Sequence, residues 1–147
     1  MKITTHSEKE TENFAYDFAK DLNNNSIIVL TGDLGTGKTR FMRGIARYFG
    51  IENSVSSPTF TIVNEYTPKE NMDKVSKIFH FDTYRLTDGE DFENTVGTDY
   101  FHSGLCIIEW GEIIKDILPR HTIYITIKRS NENNENERTI TIYGGNN

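Results

Sequence analysis

The chain holds one cysteine, one tryptophan and three prolines in 147 residues. The lone Cys106 excludes an internal disulfide framework and a thiolate-rich zinc site. Long apolar runs are missing too. The longest, Ile27-Ile28-Val29-Leu30 and Leu105-Cys106-Ile107-Ile108, are far too short to span a bilayer, so no membrane partner is expected. The opening residues, Met1 to Glu8, contain no apolar stretch to serve as a secretory leader, and a cytoplasmic location is the expectation. Positive charge is in deficit: 16 Lys and Arg stand against 22 Asp and Glu, a net −6. That balance argues against unaided binding of nucleic acid. There is no internal repeat and no linker, so one domain over 1–147 is expected. No serine nucleophile elbow or protein-kinase motif set is present, and His80 and His102 lack metal-ligand spacing. Nine Phe and seven Tyr supply material for a core.

Local patterns predict the elements. Ser7-x-x-Glu10 is a capping box, and Phe14, Ala15, Phe18, Ala19 and Leu22 recur at helical spacing, which predicts a helix over 8–22. The apolar run 26–31 reads as a central strand buried on both faces. A glycine-rich turn follows, then a helix over 38–49 stopped by Gly50. Strands are expected over 60–66, 77–81 and 105–109, a weak helix near 88–94, and a short helix over 113–118 ended by Pro119. Residues 122–128 and 139–143 alternate as a hairpin around an Asn/Glu-rich loop. Strands alternating with helices imply an α/β fold with a mainly parallel central sheet, antiparallel edge strands and flanking helices.

Gly32-Asp33-Leu34-Gly35-Thr36-Gly37-Lys38-Thr39 matches G-x-x-x-x-G-K-[ST] between a buried strand and an amphipathic helix. Glycines let backbone amides approach phosphate oxygens closely, and the helix that follows aims its positive end at the anion. Lys38 can neutralise phosphates and Thr39 can offer its hydroxyl to Mg²⁺. Such a site needs a carboxylate at the end of a neighbouring strand. Asp82 and Glu109 both qualify, and spacing does not choose between them. Ser57-Pro58-Thr59 is either a stiffened loop presenting the Thr59 hydroxyl or a plain turn. Arg85 is placed either to stabilise charge at a phosphate or to pair with a surface acid. Trp110 is either core or an aromatic facing a partner. Arg40, Arg43 and Arg47 form a stripe opposite Phe41, Ile45 and Phe49, either a solvated face or a docking surface.

The P-loop, then Ser57-Pro58-Thr59-Phe60, His80-Phe81-Asp82-Thr83-Tyr84-Arg85-Leu86 and Ile108-Glu109-Trp110 occur in that order. This order resembles the TsaE (YjeE) family of bacterial P-loop ATPases over almost the whole chain. The resemblance implies a three-layer P-loop NTPase-like fold. It also implies ATP and Mg²⁺ as cofactors, and TsaB and TsaD as partners in threonylcarbamoyl-adenosine modification of tRNA, with tRNA met through that complex. Carried over position by position, it assigns nucleotide binding to Asp33, Leu34, Gly35, Thr36, Gly37, Lys38, Thr39 and Arg40, with Arg138 near the adenine. It assigns metal binding to Thr39 and Glu109, and catalytic roles to Lys38, Asp82 and Thr59. Resemblance thus favours Glu109 over Asp82 as the metal's direct partner. The chain departs from the family at Thr87 to Thr95, where Gly89 and Asn94 weaken a usually clear helix. It departs again at Arg40, where a second Thr is common.

The expected activity is slow ATP hydrolysis that rises with partners. The alternative is an ATP-gated interaction module in which binding, not cleavage, regulates the partner complex. A small-molecule kinase is disfavoured because no acceptor-binding segment is visible, and a GTPase because no N/T-K-x-D motif follows the P-loop.

Overall fold

The computed structural model describes residues 1–32, 37–51, 63–70, 72–83, 86–130 and 134–145. Its strands are β1 (Lys2–Thr5), β2 (Ile27–Thr31), β3 (Val63–Tyr66), β4 (Ile78–Asp82), β5 (Leu105–Glu109), β6 (Ile123–Arg129) and β7 (Arg138–Gly144). Its α-helices are α1 (Glu8–Ala19), α2 (Lys38–Tyr48) and α3 (Gly89–Thr95), and 3-10 helices cover Thr98–His102 and Gly111–Ile117. The strands form one sheet in the order β1-β7-β6-β2-β5-β4-β3. The centre is parallel (β6 with β2, β2 with β5, β5 with β4) and the edges are antiparallel.

Two cores sandwich the sheet, which accounts for the unbroken apolar runs. On one face Ile28, Leu30, Ile78, Leu105, Ile107, Ile125, Ile127 and Ile140 meet α1 and α2 through Ala15, Ala19, Phe41 and Ile45, with Phe49 just after α2. On the other, Ile27, Phe79, Phe81, Cys106 and Ile108 meet Phe92, Phe101 and Ile114. Successive residues of β2 and β5 therefore point into different cores, and neither strand has a polar face to show.

Local chemistry explains the differences from expectation. Helix α1 stops at Ala19 rather than Leu22. The amides of Lys20, Asp21 and Leu22 bond to carbonyls three residues back, so the last turn tightens while Leu22 stays buried. The weak patch at 88–94 does form α3. The Asp88 side chain accepts from the Asp91 amide, and Phe92 anchors the helix in the second core. The expected helix at 113–118 is a 3-10 segment beginning at Gly111. Strand β1 and the segment Thr98–His102 carry no periodicity long enough to read in advance. Of the strand expected over 60–66, residues 60–62 lie outside the described residues.

No helix among the described residues is long and apolar enough to cross a membrane.

Candidate functional site

Thr31, Asp82 and Glu109 end the adjacent parallel strands β2, β4 and β5. In doubly wound sheets, ligands bind beyond these carboxyl ends. Register places Asp82 beside Glu109 and Leu30 beside Glu109, so both acids stand on the sheet face that α1 and α2 cover. Above them α2 begins. Gly37 caps it with φ +110, a left-handed conformation costly for any residue with a Cβ, and the Phe41 amide bonds to the Gly37 carbonyl. The free amides and positive dipole end of α2 thus face the strand ends.

Lys38 is the first residue of α2. Its Nζ lies 3.7 Å from Glu109 Oε1 and 5.3 Å from the centre of the Trp110 ring. Glu109 is buried, and its other oxygen, Oε2, lies 2.8 Å from His80 Nε2. A carboxylate taken out of water keeps its charge only where cations and donors surround it, and Lys38 and His80 serve as such partners. Thr39 follows Lys38 with an exposed side chain. Asp82 is half-buried.

The turn after β5 is held under strain. Trp110 has φ +65, a left-handed conformation that costs a bulky L-residue about 1–2 kcal/mol. The fully buried Thr83 fixes it: its one hydroxyl proton is shared between the Trp110 carbonyl at 2.7 Å and the Glu109 carbonyl at 3.0 Å. Trp110 is 44% exposed, so it is not core. A cavity of about 120 Å³ opens beside it, lined by Thr31, Lys38, Trp110, Glu112, Thr126 and Lys128 among others. The Thr31 hydroxyl donates to the Glu112 carboxylate on its rim.

Arg138 starts β7. Its side chain passes within 4 Å of the point where a Gly37 side chain would begin, so it borders the start of α2. Its guanidinium donates to the carbonyls of Glu135 and Glu137. Burial, and secondarily the Arg129 charge, push that group below its usual range.

The arginine stripe on α2 is neither simply solvated nor uniformly open for docking. Arg40 pairs with Glu8 at 2.8 Å and Glu12 at 3.5 Å, and Arg47 pairs with Glu12 at 2.6 Å. Both guanidinium groups therefore tie α2 to α1, and of the three only Arg43 makes no ion pair among the described residues, where it is exposed. Asp33, Leu34, Gly35, Thr36, Thr59 and Arg85 lie outside the described residues.

The structure thus gathers Lys38, Glu109, Asp82 and Trp110 at the carboxyl ends of the central strands, with Arg138 bordering them. His80 and Thr83 were missed as functional candidates. One signal for His80 was available: a single polar residue inside Ile78-Phe79-His80-Phe81 must be buried and needs a partner. Thr83 gave no such signal, because its role depends on where β5 ends.

Among the described residues no group of three or more His, Cys, Asp or Glu converges as a metal cage. A Mg²⁺ ion bound with a nucleotide needs less, because phosphates and waters fill most of its shell and one or two protein oxygens suffice. The Glu109 carboxylate beside Lys38, with the Thr39 hydroxyl at the same helix start, fits that requirement.

Comparison with known proteins gives a consistent set of similarities. The family model described as "Threonylcarbamoyl adenosine biosynthesis protein TsaE" matches residues 5–140. The tRNA threonylcarbamoyladenosine biosynthesis protein TsaE of Bacillus subtilis (strain 168) is 39% identical over 146 residues, covering 98% of this chain and 87% of its own. The protein of the same name from Treponema pallidum (strain Nichols) is 32% identical, covering 97% of this chain and 99% of its own. The crystal structure of Bacillus subtilis YdiB superposes with a TM-score of 0.74 at 34% identity, covering 99% of this chain and 86% of that one.

Proposed function

This chain belongs to the TsaE family, and on that premise we propose that it is a Mg²⁺-dependent ATPase acting with TsaB and TsaD in the threonylcarbamoyl-adenosine modification of tRNA. The pathway follows from family membership and the names its relatives bear. The observation that carries the chemistry is the meeting of Lys38 and Glu109 at 3.7 Å under the start of α2. The lysine of the glycine-rich motif thus stands beside the acid that ends the neighbouring strand.

In this reading Lys38 and the amides at the start of α2 hold the β- and γ-phosphates. Thr39 and Glu109 would hold Mg²⁺, which would supply neutralisation of phosphate charge when bound with the nucleotide. Asp82, beside Glu109 in register, orients the water that attacks the γ-phosphorus as the bond to the β,γ-bridging oxygen breaks, releasing ADP and phosphate. Thr59, which lies outside the described residues, takes from the family resemblance alone the role of sensing the γ-phosphate. Arg138 borders the nucleotide. The protein works in the cytoplasm, where the tRNA substrate is.

The test is ATP hydrolysis by the purified chain with Mg²⁺, alone and with TsaB and TsaD, beside Lys38→Ala and Asp82→Ala. Hydrolysis that rises with the partners and is lost in both variants supports the reading. Tight nucleotide binding with no hydrolysis in any mixture overturns it and leaves an ATP-gated interaction module.

A further inference from the structure

We propose that His80 is a positioning residue: its imidazole holds one oxygen of Glu109 so that the other is presented to the cation at the nucleotide site. The inference rests on the nucleotide-site reading above and adds a residue to it.

The geometry is specific. His80 and Glu109 lie on the same face of neighbouring parallel strands, with His80 opposite Ile107, two residues before Glu109. Both are buried, His80 at 2% exposure. The contact is 2.8 Å, from Nε2 to Oε2. An ionised carboxylate only accepts, so Nε2 carries the proton and donates. The other ring nitrogen, Nδ1, is buried and meets no hydrogen-bond partner among the described residues.

That orphaned nitrogen is informative. A buried polar atom left without a partner gives up its hydrogen bond to water and gains none in exchange. A phenylalanine or leucine would fill this core position, between Phe79 and Phe81, without that cost. The ring therefore has a use that outweighs it, and its one polar contact is Glu109 Oε2. Lys38 approaches the opposite oxygen, Oε1, at 3.7 Å. The two oxygens are thus divided: one is fastened from below by the sheet, the other faces the start of α2. When Lys38 moves to phosphate, Glu109 loses that neighbour, and the His80 contact keeps the carboxylate from turning. Hydrogen-bond partners behind a ligating group typically matter by about 10–100-fold in metal affinity.

The test uses the full chain with Mn²⁺ as the probe, followed by electron paramagnetic resonance in the presence of a non-hydrolysable ATP analogue. The variants are His80→Phe, His80→Gln and His80→Asn. The Gln amide nitrogen can reach the position of Nε2, whereas the Asn amide falls short of it. The expected result is about a tenfold loss of Mn²⁺ affinity in His80→Phe and His80→Asn, with Gln restoring most of it. Analogue affinity measured in EDTA should stay within about twofold. Proton NMR of the nucleotide-free protein adds a second readout: a slowly exchanging imidazole N–H resonance that shifts in Glu109→Gln.

Wild-type Mn²⁺ affinity in His80→Phe overturns the proposal, as does a Gln variant as impaired as Asn. Should His80→Phe not fold, the Gln and Asn pair decides alone. A wild-type chain that binds no Mn²⁺ with the analogue overturns the site reading itself. A normal wild type with unaffected variants overturns only the role of His80.

Discussion

Gly44 is the residue at which α2 touches α1, and replacing it with alanine sets two effects of opposite sign against each other. In an exposed helix, Gly→Ala stabilises by about 1 kcal/mol. Here an added Cβ would stand 2.2 Å from the Glu12 carbonyl oxygen and 2.6 Å from the Ala15 Cβ. Real contacts do not go below 3.0 Å, so α1 and α2 must part by at least 0.8 Å. The obstacle is backbone and cannot swing aside. Arg40 and Arg47 flank Gly44 and both hold Glu12, so the same shift stretches those ion pairs. Overpacking a filled interface costs about 1–3 kcal/mol, and the partly exposed pairs add a few tenths. The steric cost wins. Gly44→Ala should lose about 1–2 kcal/mol, a fall in Tm of about 2–8 °C for a chain of this size. Thermal melts followed by circular dichroism measure it. Adding Ala15→Gly should not restore stability, because the Glu12 carbonyl remains in the way. A melting point equal to or above wild type would refute the reasoning, since it would mean that helix propensity outweighs the contact between the helices.

Two further outcomes are expected. Trp110 is the chain's one tryptophan, and Lys38 Nζ sits 5.3 Å from its ring. Nucleotide with Mg²⁺ should draw Lys38 away and change Trp110 emission in a saturable titration, and Lys38→Ala should abolish the response. An identical response in that variant would disprove the link between the ring and the lysine. Cys106 is fully buried in β5, and burial pushes its thiol from 9.0 up to about 12. The native state then holds a proton that the unfolded chain releases, so this contribution to stability is complete below pH about 9 and is lost as pH rises towards 12. Relative to Cys106→Ala, wild-type stability should fall with pH across that window by up to about 1.4 kcal/mol per unit. Parallel alkaline stability curves from urea titrations would contradict it. Thiol reagents should reach Cys106 only on unfolding.

Most of the architecture was legible where a residue pattern has only one good solution. The continuous runs 27–30 and 105–108 can be buried only as central strands between two layers, and both cores exist. Half of the capping box at Ser7 forms as read, with the Ser7 oxygen accepting from the Glu10 amide at 3.0 Å. The hairpin of β6 and β7 pairs through Thr126 and Thr141, as the alternation implies. Strand β1 was not legible, because four residues carry too little pattern and its place is set by pairing with β7, more than 130 residues away. The arginine stripe was misread for the same reason. Spacing along α2 says that Arg40 and Arg47 share a face, but not that Glu12 of α1 lies against it.

The local order of residues by itself determined the strand before the glycine-rich motif and the helix after it, because backbone conformation and hydrophobic period act over a few neighbours. It also narrowed the acid to Asp82 or Glu109. Only the tertiary structure decided that Lys38 meets Glu109, that His80 holds that acid from behind, and that Thr83 pins the strained turn at Trp110. Those contacts join β4, β5 and α2, which are far apart in the chain. Their distances follow from strand register and from the close approach of α1 and α2 at Gly44, quantities set by packing the whole sheet between its two cores and by no short stretch of sequence.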